Sequence, residues 1–362
     1  MTSYENFYKS NLGFGGYLPW FSVNDTGLWR MDANTASVNG QDNGELIWAL
    51  VAAYKSLNDS GNLDLAERYK NYVNIMSKNM EIMFLKKNST FAGLRCSAAF
   101  NATTTPPVAT NYWSTDNCYL DDPYGNELLW VYYDLFVAPS DNFTRQQILQ
   151  RKLAKIVSVN LPTKWGNITV ERGAGYTVHE KWKFMFLPYF DSAILEKVFL
   201  NGEKARTHYS YMNNFAGLFS SALNYSVPDL EKTYLPDYVG EGIPQLGTSN
   251  TIQIFYTTGS TAALLLHPTS RKYGIAWYIN VLLGGKMQGP GGSSESISLD
   301  GNYISPIHTW DSKISTVLGF SGGIINIIRD YMKITGTHQR FVQTFNDATY
   351  GSSSKWSQFF CM

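Results

Sequence analysis

Residues 45–57, ELIWALVAAYKSL, set Ile47, Leu50, Val51 and Tyr54 at i, i+3, i+4 and i+7, the spacing that gathers apolar side chains on one face of an α-helix. The next periodic stretch, LAERYKNYVNIMSKNMEIMFL at 65–85, repeats the pattern at greater length. Outward from this pair, similar segments recur near 125–136, 143–158, 191–200, 211–223, 271–284, 313–333 and 338–346, with loops rich in Gly, Pro, Asn and Thr between them. Two stretches read otherwise. Residues 88–113 (NSTFAGLRCSAAFNATTTPPVATNYW) form an irregular excursion, and 250–258 (NTIQIFYTT), rich in β-branched residues, read as a short strand. No linker divides the chain, and toroidal helical folds of this size are common single units. The expectation is one all-α domain over residues 1–362, with nine to twelve helices and long loops on one side that carry function.

Composition narrows the chemistry. The 362 residues carry 29 basic and 29 acidic side chains and no basic run longer than two, so no electrostatic footprint for nucleic acid is present. Aromatic residues make up 15% of the chain (10 Trp, 24 Tyr, 20 Phe). Such rings stack on the apolar faces of sugars while their OH and NH groups reach polar partners, which makes neutral glycans the first substrate class to consider. Charged residues are only 16%, against about 25% in an average soluble domain, so each carboxylate among tryptophans and tyrosines calls for a reason. No stretch approaches about 18 apolar residues, and no membrane span is expected. The five histidines, at 179, 208, 267, 308 and 338, show no pairing at metal-ligand spacing.

Seven Asn-x-Ser/Thr sequons, at Asn24, Asn58, Asn88, Asn101, Asn142, Asn167 and Asn224, are roughly double the number that random placement of this much Asn, Ser and Thr would give. They point to a eukaryotic secretory protein, with an Asn-rich polar composition as the alternative source. The amino terminus, MTSYENFYKS, lacks an apolar leader core, so secretion implies a leader absent from this sequence. Cys96, Cys118 and Cys361 are too few for a disulfide framework or a zinc site, although Cys96 and Cys118 flank one loop-rich segment and could pair.

Four segments carry candidate chemistry, each with a structural reading beside the functional one. In SVNGQDNGELIWAL (37–50), Asp42 as N-cap with Glu45 at the third helical position is a capping-box pattern; alternatively one of the two carboxylates turns into a cleft beside Trp20 or Trp29 and accepts hydrogen bonds from sugar hydroxyls. In NYWSTDNCYLDDPYGNELLWVYYDLF (111–136), Trp113, Asp121, Asp122, Tyr124 and Glu127 either initiate a helix or line a sugar cleft. The glycines of GPGGSSESISLDGNYISPIHTWDSK (289–313) are not a phosphate cradle, since no Gly-Lys-Ser/Thr follows. The same segment sets Asp311 between Trp310 and Lys313 at a helix start, as a cap or as a site acid. In VHEKWKFMFLPYFD (178–191), Pro188 should end or kink any helix begun near Tyr176, while Trp182, Met185, Phe186 and Tyr189 share a core face. Glu180 lies one turn back at the rim of that face, where partial desolvation would raise its pKa toward the range of a general acid.

The strings HEKWKFMFLPYFD (179–191), NGEKARTHYSYMNNFAGLFSS (201–221), GEGIPQ (240–245), KMQGPGGSSES (286–296) and ISPIHTWDSK (304–313), in that order and with SVNGQDNGELIWAL before them, resemble the glucoamylase-like superfamily of (α/α)6 toroids. Within it they are similar to the endo-β-1,2-glucanases of glycoside hydrolase families 144 and 162; the sequons favour the family 162 side, and the likeness covers about residues 12–335. The resemblance implies an inverting endo-hydrolase of β-1,2-glucan, with no metal or organic cofactor and no nucleic-acid or membrane partner, acting as a monomer. It implies Glu180 as general acid and Asp311 as the base that activates water, with Asp42, Glu45, Glu127 and Glu295 as alternative bases or sugar contacts. Trp113, Tyr124, His179, Trp182, Arg206, Trp310 and Lys313 would line the subsites. A noncatalytic glycan-binding protein on the same toroid, or a glycosidase of another glucan linkage, are the competing readings.

Overall fold

The computed structural model describes residues 1–24, 27–30, 35–114, 117–121, 127–164, 166–172, 182–213, 223–224, 234–235, 254–256, 266–283, 288–289, 292–294, 296–298 and 310–346. Among them run eleven α-helices: α1 (Thr2–Ser10), α2 (Gly40–Asp59), α3 (Leu63–Phe84), α4 (Leu128–Tyr132), α5 (Asn142–Lys155), α6 (Lys183–Phe186), α7 (Ala193–Met212), α8 (Arg271–Leu283), α9 (Trp310–Ser321), α10 (Ile325–Ile334) and α11 (His338–Asn346). Short strands pair two by two, all antiparallel: β1 (Phe21–Asn24) with β2 (Gly27–Arg30), β3 (Ala36–Asn39) with β6 (Ser97–Phe100), β4 (Leu85–Lys87) with β5 (Ala92–Leu94), and β7 (Ser158–Thr163) with β8 (Gly166–Glu171). The described chain is thus mostly helical, as the 3.6-residue periodicity implies. It gathers into two compact units, one of residues 1–155 and 327–351, the other of residues 156–326 and 352–362.

In the first unit the helix read from residues 45–57 is longer at both ends than its apolar pattern, because Asn39 caps it upstream. Its buried stripe of Ile47, Trp48, Leu50 and Val51 meets Tyr72, Val73, Met76 and Met80 of α3, and burial of each large apolar side chain contributes about 1.5–3 kcal/mol. Against α4 the approach is closer. Trp48 Nε1 donates to the Leu128 carbonyl at 2.9 Å, and a Cβ on Gly44 would stand 2.6 Å from the Leu129 nitrogen, so only glycine fits there. The carboxy-terminal helices return to this unit. Arg340 reaches both carboxylate oxygens of buried Asp134, at 3.3 and 2.7 Å, and Phe345 of α11 sets its ring edge-on to Trp130.

Residues 88–113, expected to be irregular, are stitched by short strands: β5 and β6 lie within them, and Ala99 of β6 bridges onward to Trp113. Cys96 and Cys118 form a disulfide, with Cα atoms 5.3 Å apart. The Cys96 carbonyl also accepts the Gly40 N–H at 2.6 Å, so the crosslink sits against the start of α2.

In the second unit the β7–β8 hairpin packs Leu161, Ile168 and Val170 against Ala205 of α7. That helix is capped by Ser192, whose hydroxyl accepts the Leu195 N–H. It runs to Met212, so the start of the helix expected at 211–223 is the tail of α7. The expected strand at 250–258 appears at Ile254–Tyr256, paired with Ser296–Ser298. Pro188 acts as expected. Helix α6 stops at Phe186, and a 3-10 turn follows at Tyr189–Asp191.

Candidate active site

On the first unit, the start of α2 carries the polar and aromatic groups. Asp42 was expected to cap this helix with Glu45 as its box partner; the cap is instead Asn39, whose Oδ1 accepts from the N–H groups of Gln41 at 2.6 Å and Asp42 at 3.4 Å. Asparagine satisfies the free amides three residues earlier, which releases the Asp42 side chain. Its Oδ2 accepts the indole N–H of Trp20. Of the two carboxylates expected to turn into a cleft beside Trp20 or Trp29, Asp42 is the one bonded to Trp20. Asp42 is exposed, yet partial desolvation by the atoms around it raises its pKa above the usual aspartate value, and the bond from Trp20 opposes that rise. Glu45, next on the helix, is half-buried.

Asn43, which sequence reasoning passed over, and Trp113, one of the expected subsite residues, are both tied to the backbone around them. Buried Asn43 accepts the Leu18 N–H and donates to the Leu18 carbonyl, each at 2.9 Å, which docks the GYLPW segment on α2 just before Trp20. Trp113 is held by its backbone, exchanging hydrogen bonds with Ala99 at 2.8 and 3.1 Å. Strand alternation turns its neighbour Tyr112 inward, where the hydroxyl donates to the Gly13 carbonyl, and leaves the Trp113 ring 39% exposed. The only sequence signal for Asn43 was its place inside a presumed capping box.

The acids of residues 111–136 separate. Glu127 was expected among the sugar contacts or as an alternative base; it is fully buried, and its Oε2 pairs with the buried ammonium of Lys152 on α5. Asp121 is also buried and pairs with Arg151 and Lys155 of the same helix. Desolvated carboxylates are held where cations meet them, so these two serve the fold through α5 rather than by initiating a helix, since Glu127 at the start of α4 makes no side-chain cap bond. Asp122 and Tyr124 lie outside the described residues.

On the second unit, Trp182 is half-buried immediately before α6, and its indole nitrogen is buried without a hydrogen-bond partner among the described residues. Met185 and Tyr189 are in the core as expected, joined by Phe184, whose ring packs on Phe199 at 4.8 Å and Phe190 at 5.2 Å. Arg206 lies buried on α7 with Glu203 Oε1 3.9 Å from its guanidinium. Buried Glu171 and Glu203 were not among the candidates, and no pattern in the sequence marks them. Lys313 is on α9, its Cε 3.9 Å from where a Cβ on Gly292 would stand, which brings Gly292 beside that helix. Trp310 and Asp311 open α9. His179, Glu180 and Glu295 lie outside the described residues. Among the described residues no group of His, Cys, Asp and Glu could hold a metal ion, and no helix is long and apolar enough to cross a membrane.

A mostly helical scaffold that leaves tryptophan rings open beside a carboxylate is the equipment of a carbohydrate-active protein. The sequence matches the glycoside hydrolase family GH162, described as endo-β-1,2-glucanase SGL, over residues 1–357, and the chain belongs to that family. Among solved structures it is similar to the endo-β-1,2-glucanase of Talaromyces funiculosus in complex with sophorose, at 28% identity and a TM-score of 0.83, over 96% of this chain and 70% of that one. A Glu-to-Gln mutant of the Talaromyces enzyme with β-1,2-glucan matches at 29% identity, with the same TM-score and coverage. The β-1,2-glucanase of Parabacteroides distasonis shares the fold at 11% identity and a TM-score of 0.56, over 95% of this chain and 50% of that one. No functionally curated protein matches.

Proposed function

We propose that the chain is an inverting endo-hydrolase of β-1,2-glucan, built as a single (α/α)6 toroidal domain, with Glu180 as general acid and Asp311 as general base through water. The observation that carries this reading is membership of the family over nearly the whole chain, beside solved relatives named for sophorose and β-1,2-glucan complexes. That a Glu-to-Gln mutant of the Talaromyces enzyme accompanies β-1,2-glucan supports a glutamate as the group whose proton cleavage needs. In an inverting pair one carboxyl protonates the leaving oxygen while the other activates water across the sugar ring, at a separation of about 6.5–9.5 Å. Glu180 and Asp311 come from separate segments of the sequence, Asp311 from the first turn of α9. Trp182, on the segment that carries Glu180, supplies an aromatic wall.

The protein acts as a monomer in the secretory pathway. The Cys96–Cys118 disulfide supports an oxidising compartment, and the sequon asparagines 58, 88, 101, 142 and 167 are all exposed. The test is a product profile. Linear β-1,2-glucan should give short β-1,2-linked oligosaccharides whose new reducing ends start as the α-anomer, and β-1,3-glucan should give none. Retention of the β-anomer would overturn the inverting assignment, and intact β-1,2-glucan the activity itself.

A further inference from the structure

We propose that Trp20 is a sugar-stacking platform, with Asp42 as the hydroxyl acceptor at its edge, forming a glucan subsite on the first unit. The inference rests on the glucanase reading and extends it to a residue outside the proposed acid–base pair. Trp20 is 58% exposed, the most open of the tryptophans whose burial is described, whereas Trp48 and Trp130 are sealed in the core. An exposed indole on a flexible loop would lose rotamer freedom on meeting a ligand, and here that freedom is already gone. Its N–H is taken by Asp42 Oδ2, buried Pro19 fixes the backbone just before it, and the two Leu18–Asn43 bonds anchor the chain one residue further back.

The remaining surface of the pair matches a pyranose. A glucosyl unit presents C–H groups on its faces and hydroxyls around its rim; the ring face of Trp20 takes the first, and Asp42 Oδ1, with no partner among the described residues, takes the second. Asp42 itself is exposed, so a ligand hydroxyl can reach that oxygen. The occupant is a β-1,2-linked glucose chain, the ligand of the Talaromyces relatives.

The experiment measures binding and turnover of β-1,2-glucan oligosaccharides by the parent protein, Trp20→Ala and Trp20→Phe, with melting temperatures alongside. Loss of a well-formed aromatic contact is expected to raise KM and the oligosaccharide Kd by about 5- to 50-fold in Trp20→Ala, with kcat within twofold. Trp20→Phe restores a ring without the N–H and should recover most of the affinity. A parent that cleaves glucan while Trp20→Ala matches it in KM and Kd overturns the platform and leaves the glucanase reading standing. Equal losses in the Ala and Phe variants overturn stacking, since they would show that the indole acts only by holding Asp42. A parent that neither binds nor cleaves the chain overturns both. Should Trp20→Ala fail to fold, recovery or loss of affinity in Trp20→Phe still decides the matter.

Discussion

Glu180 and Asp311 are the residues on which the proposed chemistry turns. Glu180→Gln keeps the shape of the side chain and loses the transferable proton, so turnover should fall by about a hundredfold to ten-thousandfold, the usual worth of general acid catalysis. KM and melting temperature should stay near those of the parent, and Asp311→Asn should behave alike. A Glu180→Gln protein within threefold of the parent rate, or one that melts early while turning over normally per folded molecule, would return Glu180 to a structural role. Asp42 predicts the opposite balance. Its pKa is raised in the fold, so the folded chain holds the proton more tightly than the unfolded one. Stability then falls as pH rises from the ordinary aspartate range through the raised value, and stays lower above it. Asp42→Asn removes that cost, partly offset by the helix dipole. At neutral pH its melting temperature should equal or exceed that of the parent, the gap closing in acid, while oligosaccharide affinity drops. A marked fall in melting temperature at pH 7 would mean that the carboxylate supports the fold. At this scale the sequence was legible in part. The sequence offered Trp20 or Trp29 as neighbours of a carboxylate without marking the direct Trp20–Asp42 bond, and Asn39 rather than Asp42 took the cap because the apolar pattern does not mark where a helix begins.

Among the elements, helices announced themselves and their close contacts did not. The stripe Ile47, Leu50, Val51 is buried as its spacing required, and the strand at Ile254–Tyr256 followed from β-branching. Gly44 carried no signal, since an isolated helical glycine reads as a weakness until the approach of α4 shows that nothing larger fits. Glu127 misled for a related reason: its partner Lys152 is on another helix, and one-dimensional order does not show that pairing. The disulfide lies between these cases, since spacing allowed the pair without requiring it. It closes the segment that carries Trp113 and abuts the first residue of α2. Cys96→Ser should therefore cost about 3 kcal/mol in unfolding free energy, the loop-closure worth of a crosslink of this span. Affinity for glucan should fall alongside if Trp113 lines the subsites. Denaturant titration and oligosaccharide binding on the same sample check both, and an unchanged transition midpoint would show that the strand bridges alone hold the segment.

For the whole molecule, composition pointed to a neutral glycan as ligand and motif order to a family, while no composition shift marks residue 155 or residue 327, where the contacts divide. If the protein is secreted, material from a eukaryotic host should lose several kilodaltons of apparent mass on enzymatic deglycosylation. Peptide mapping should find modified asparagine at the exposed sequon positions 58, 88, 101, 142 and 167. An unchanged mass would remove the main support for that route. The first unit is also discontinuous, since residues 327–351 complete a body begun by residues 1–155. Asp134 receives Arg340, and Trp130 receives Phe345, only after the whole second unit has been made. At ribosomal speeds of about 5–20 residues per second, the nascent first unit waits roughly 10 to 40 s for its missing helices. During that interval buried Asp134 has only the cation of Arg145, 3.5 Å away, from its own segment, and the face of Trp130 that Phe345 covers is left open. A ribosome stalled before residue 327 would therefore leave the first unit without the contacts of Arg340 and Phe345.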